Sequence, residues 1–194
     1  MANFYPFLVY VVVTTFTPGP NNIMAMTNAM HSGYRRTFSF LVGITTGFFV
    51  VMLASGLLNV FLTGMLPALE KWLKILGALY MVYLAIHIAR SQPLEIDEGK
   101  NIDNTFRAGF GMQFLNIKVI LYGITIFSLF IIHSYHTPLM IGLFALVLAL
   151  VGFVSISCWG LGGNLFRKTL QKHYHLFNYG MAGLLIYTAV ASLL

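Results

Sequence analysis

Thr17-Pro18-Gly19-Pro20-Asn21-Asn22 interrupts an apolar run that starts at Phe4 and continues to about Met30. An unbroken helix of that length would rise roughly 40 Å, enough to cross a bilayer. Pro18 and Pro20 lack the backbone N–H, and each ring clashes with the turn before it, so the helix must break here. Broken backbone at membrane depth is tolerated only where protein buries it or where it lines a cavity. The stretch therefore predicts a membrane protein and, within it, the place of a binding site. Pro20 would open a new helix at its first position. The free N–H groups and positive dipole end there suit a carboxylate, with the Asn21 and Asn22 amides as further donors. A bare kink is the competing reading, but two prolines around a glycine go beyond one.

Composition agrees. The chain has 194 residues, of which 58% are hydrophobic and only 8% charged. A soluble domain carries about 25% charged residues. The net charge of +6 could suggest nucleic acid. The basic residues fall instead in short loops between apolar runs, the pattern that sets membrane orientation, so no nucleic-acid partner is expected. A single cysteine, Cys158, excludes an internal disulfide and a Cys-x-x-Cys thiol carrier. The first residues carry no positive charge, so the first run is read as a retained span and not a cleaved signal.

Six apolar runs are each long enough to span, at roughly 4–30, 38–63, 71–90, 107–133, 138–163 and 175–194. The expected fold is an all-α integral membrane protein in one transmembrane domain. The loops after runs 1, 3 and 5 share one side and hold Arg35, Arg36, Arg90, Lys100, Arg107, Arg167, Lys168 and Lys172. The opposite side has only Lys71, with Lys74 one turn into run 3. The first side is then cytoplasmic, and both termini face the periplasm.

The two halves look related. Ala78, Tyr83 and Ala85 in run 3 recur as Ala182, Tyr187 and Ala189 in run 6, at one offset of 104 (182 − 78). Run 4 has its own polar interruption, Gln113-Phe114-Leu115-Asn116-Ile117-Lys118, about half a chain after the first. Three spans per half force the second half to be inverted. Inverted repeats with interrupted helices at matching places are the pattern of secondary transporters, with substrate near the midplane. The expected repeats are about 1–90 and 107–194, joined by a polar linker at 91–106.

Lys118 is the only formal charge deep within a run, where it costs ~2.5–3.5 kcal/mol on insertion scales. It lies too far from either end to snorkel easily, so it should face the protein interior. On a continuous helix Gln113 and Asn116 share a face, while Lys118 and Tyr122 point the opposite way. All four can line one cavity only if the backbone unwinds near Asn116. Tyr80, Tyr83 and His87 share one face of run 3, which reads as packing plus an interfacial aromatic belt. Tyr83 and its counterpart Tyr187 are the better site candidates there. Gly43-x-x-x-Gly47 and Gly160-x-Gly162-Gly163 read as close helix packing, which permits a homodimer without demanding one. Cys158 and Trp159 read as core. No phosphate-binding loop, metal-ligand spacing or nucleophile–base pair is visible, so neither enzyme, cofactor nor metal is expected.

Thr17-Pro18-Gly19-Pro20-Asn21, the six runs and Phe114-Leu115-Asn116-Ile117-Lys118 together resemble the LysE/RhtB family of amino-acid exporters over essentially the whole chain. Thr-Pro-Gly-Pro-Asn-Asn-Ile, Gln-Phe-Leu-Asn-Ile-Lys-Val-Ile-Leu-Tyr-Gly and Cys158-Trp159 most resemble its cysteine/O-acetylserine branch. The resemblance implies secondary active efflux of small neutral amino acids across the bacterial inner membrane, with coupling to the proton gradient. Alternatives are the same machine with homoserine, threonine or a branched-chain substrate, or a solute channel. Many relatives carry Asn-Pro-Lys where this chain has Asn116-Ile117-Lys118, so a milder break is expected in run 4. On this reading the carboxylate is held by the break at Pro18, Gly19 and Pro20 with Asn21, Asn22 and Lys118. The ammonium would find unwound carbonyls, Asn116 or tyrosine hydroxyls. With no mid-membrane carboxylate to carry protons, Lys118 is the candidate for proton coupling.

Overall fold

The computed structural model describes residues 4–17, 19–61, 104–132, 134–165 and 172–191, with scattered positions between Trp72 and Arg90. Pro18, Tyr80 and His87 lie outside the described residues. Among the described residues every regular element is helical. Run 1 is two helices, α1 (Phe4–Phe16) and α2 (Pro20–Ser32), with the break at the proline-glycine stretch. Gly19 caps α2 in extended backbone, and its carbonyl accepts from the Ile23 N–H at 2.9 Å. Gly33 ends α2 at φ 80°, a left-handed value that favours glycine, and α3 (Tyr34–Phe61) starts at the next residue.

Run 4 is broken as well. It contains α4 (Phe106–Gly111), a 3-10 turn (Met112–Leu115), Asn116 in extended backbone, and α5 (Ile117–Ile126), which closes in a π turn (Phe127–Ile131). The two halves are bent by 65°. The expectation of a mild break is therefore corrected. No proline is present: Asn116 sits in extended backbone at the N-cap of α5, and its side-chain amide bonds across to Asn21 instead of capping the helix. Its carbonyl accepts from the Val119 and Ile120 N–H groups at 2.9 and 3.1 Å.

Two long helices carry the rest, α3 and α6 (Pro138–Leu165), each of 28 residues and offset by 104 (138 − 34). Both are long and apolar enough to cross a membrane, and the bent α4–α5 pair makes a third span if counted as one. The described residues of runs 1, 3 and 6, the last being α7 (Tyr174–Ala191), are helical but add no span by that test.

Lipid tails are as apolar as leucine, so cohesion here depends on close packing and polar bonds. Glycines allow the closest approaches. A Cβ on Gly43 would strike the Phe106 carbonyl, one on Gly47 the Phe110 carbonyl, and one on Gly109 the Phe40 carbonyl. The Gly-x-x-x-Gly stretch thus seats α4 directly on α3. Gly163 likewise meets Met26 and Met30 of α2. Two apolar clusters result. One joins Val11, Phe48, Met52, Tyr122, Phe127 and Leu148. The other joins Ala25, Phe40, Leu41, Ile44 and Ile156. Alanines pair crosswise at one flank, Ala78 with Ala189 and Ala85 with Ala182.

Candidate functional site

Breaking α1 leaves its last carbonyls without intrahelical donors. Side chains supply them. The Thr15 carbonyl accepts from Asn22 Nδ2 at 2.9 Å and from Ser155 Oγ at 3.0 Å. The Phe16 carbonyl accepts from Trp159 Nε1 at 3.2 Å. The Thr17 carbonyl accepts from Asn22 Nδ2 at 3.0 Å and from Lys118 Nζ at 2.9 Å. Asn22 is buried and bridges the break from the far side.

The opposite ends of the breaks are helix N-termini. Pro20 has no N–H, so Asn21 and Asn22 carry the backbone donors of α2 that have no intrahelical acceptor. Ile117 and Lys118 do the same for α5. Neither helix has a side-chain cap bond. Amide side chains tie the two starts together. Asn21 Nδ2 donates to Gln113 Oε1 at 2.7 Å, and Gln113 Nε2 donates back to Asn21 Oδ1 at 3.0 Å. Asn116 Nδ2 donates to the same Asn21 oxygen at 2.9 Å. Gln113 is fully buried and also donates to the Gly109 carbonyl at 3.1 Å.

A cavity of about 50 Å³ lies where these pieces meet. One water needs roughly 10–15 Å³ on the same measure, so the space suits a ligand of a few heavy atoms. Its wall includes Gly19, Pro20, Asn21, Asn22, Asn116, Lys118 and Tyr122. Thr14 and Thr15 of α1, Ile44, Thr45 and Phe48 of α3, and Ala149, Gly152 and Ile156 of α6 complete it with Val119. Among the described residues, no wall residue is acidic. Asn116 Oδ1 is buried without a hydrogen-bond partner. Tyr122 stacks on Tyr10 of α1 with ring centroids 5.9 Å apart and planes 4° apart.

Most of the residues singled out from sequence thus converge. Gln113 stands behind Asn21, outside the wall but bonded to it. Lys118 and Tyr122 share the cavity with Asn116 because the break at Asn116 rotates one half-helix relative to the other. Tyr83 and Tyr187 do not join them. They are 63% and 72% exposed and form no part of the wall. Among the described residues of run 3 the buried ones are Ala78 and Ala85, and Tyr83 falls five residues after the first, on another side of the helix. Cys158 is exposed and not core. Trp159, expected only as core, donates to the break, and Ser155 carried no expectation from sequence. Their i, i+4 spacing on one face of an apolar helix was the available signal.

The profile of the family described as LysE type translocator matches residues 12–194. A cysteine/O-acetylserine efflux protein from Klebsiella pneumoniae subsp. pneumoniae is 36% identical over 184 residues, covering 95% of this chain and 93% of that protein. One of the same name from Escherichia coli K12 is 36% identical over 184 residues, covering 95% of this chain and 94% of that protein. No solved structure matches. The chain belongs to the LysE type translocator family.

Proposed function

We propose that the protein is a secondary active exporter of small neutral amino acids, cysteine and O-acetylserine first among them, across the bacterial inner membrane. The observation that carries this reading is the meeting of two broken-helix N-termini and Lys118 around one small cavity, with no acidic side chain among the described wall residues. Positive helix ends with a fixed cation suit a carboxylate. Asn116 Oδ1, the tyrosine hydroxyl and carbonyls of the break suit an ammonium. A fixed cation disfavours lysine- or arginine-like substrates. The names of the two relatives support the choice of substrate.

The architecture we infer is six spans in two inverted repeats, with both termini periplasmic. The crosswise alanines support it. Under the offset of 104, Ala78 corresponds to Ala182 and Ala85 to Ala189, so the contact Ala78–Ala189 maps onto Ala182–Ala85. A two-fold relation between halves produces that reciprocity. Phe48 corresponds to Gly152, and a Cβ on Gly152 would sit 3.8 Å from the Phe48 ring, as expected for positions on the axis. Lys118 remains our candidate for proton exchange.

Efflux from liposomes loaded with labelled amino acids, with and without an imposed pH gradient, tests the reading. We expect cysteine and O-acetylserine to leave faster with the gradient. Expulsion of a cationic amino acid alone would refute the substrate, and indifference to the gradient would refute the coupling. Lys118→Met should abolish the gradient's effect. Full gradient-driven efflux by that variant would remove Lys118 from the coupling role.

A further inference from the structure

We propose that Lys118 is a tethered ammonium holding the seat that the substrate's α-ammonium takes, so that only a ligand bringing both an ammonium and a carboxylate displaces it. This rests on the cavity being an amino-acid site. The geometry begins with the two helix starts. Pro20 and Ile117 are the first residues of α2 and α5, so Asn21 and Lys118 occupy the same second position in each. Each side chain crosses to the other helix's N-cap. Asn21 Oδ1 meets the Asn116 amide at 2.9 Å. The Lys118 tail passes over Gly19 so closely that a Cβ there would lie 2.9 Å from both Cδ and Nζ. Glycine is the slot for this tail.

The two crossings end differently. One is amide on amide. The other is an ammonium on the Thr17 carbonyl, at the negative end of α1. Lys118 is a wall residue and Thr17 is not; the Thr17 carbonyl accepts from Lys118 on one side and from Asn22 Nδ2 on the other. An incoming ammonium finds no carboxylate among the described wall residues. It has Asn116 Oδ1, buried and without a partner, and the carbonyl bonded to Lys118. To use both it must move the lysine. A displaced Lys118 needs an anion, and a zwitterion brings one, held at the helix starts beside it. A simple amine brings none and would place two cations in one small cavity. A simple acid gives the lysine no rival for its seat.

The test uses purified full-length protein in detergent with propylammonium as the probe and propanol as its neutral control. Lys118→Ala vacates the seat, and we expect it to bind propylammonium at least ten-fold more tightly than the native protein, with a saturable rise in unfolding temperature. Propanol should bind neither. Equal propylammonium binding by native protein and variant, or binding by neither, would overturn the proposal. Should Lys118→Ala fail to fold, Lys118→Gln with methylammonium provides the same comparison. No amino acid or transport enters this readout, so its failure is separate from a failure of labelled cysteine to leave liposomes.

Discussion

Gln113 is fully buried and engages Asn21 in both directions, so its loss strands Asn21 Nδ2 and leaves Asn21 Oδ1 with Asn116 as its donor. Gln113→Ala should destabilise the protein by about 1–3 kcal/mol, the penalty for a stranded polar group. Thermal unfolding in detergent measures it. Trp159→Phe removes a single donor from the Phe16 carbonyl and should cost about 1 kcal/mol in the same assay. At this scale the sequence was readable where a polar residue stood alone in an apolar run. Asn21, Asn22, Asn116 and Lys118 were conspicuous for that reason, and all four line the cavity. Tyr83 and Tyr187 misled because tyrosine is at home both in a site and at a membrane interface. Only the helix face decides between these, and alanines take the buried face.

Among the elements, the two breaks differ in chemistry but not in outcome. The first follows from proline and could be read directly. The second depends on Asn116 in extended backbone, on a 3-10 turn before it, and on amide bonds across 95 residues of sequence. Those bonds are tertiary, and local propensity does not reveal them. A direct prediction follows from Ile117 being the first residue of α5. Proline inside a helix costs about 3 kcal/mol, but at the first position its missing N–H is not needed. Ile117→Pro should therefore fold and transport at close to native levels, whereas Ile120→Pro should not fold. Yield of monodisperse protein and efflux rate check both. The packing of α4 on α3 depends on Gly43, so Gly43→Leu should abolish folding by forcing the helices apart.

At the scale of the whole molecule, the proposed arrangement is two inverted repeats. The matching lengths of α3 and α6 and the offset of 104 were partly visible in sequence through Ala78, Tyr83 and Ala85 and their counterparts. The reciprocal contacts were not, because a sequence offset says nothing about which residues face each other. If the halves are inverted with both termini outside, cysteines placed at the two termini should react with a membrane-impermeant maleimide in intact cells. A cysteine replacing Arg36 should react only after the cells are opened.

The central claim is that one cavity between two broken helices recognises the carboxylate of a small amino acid and carries it across. Counterflow in liposomes addresses this most directly, with labelled cysteine on one side and either cysteine or cysteine methyl ester on the other. Unlabelled cysteine should accelerate movement of the label several-fold, and the ester, whose carboxylate is masked, should not. Equal rates with cysteine, the ester or buffer on the far side would contradict the account.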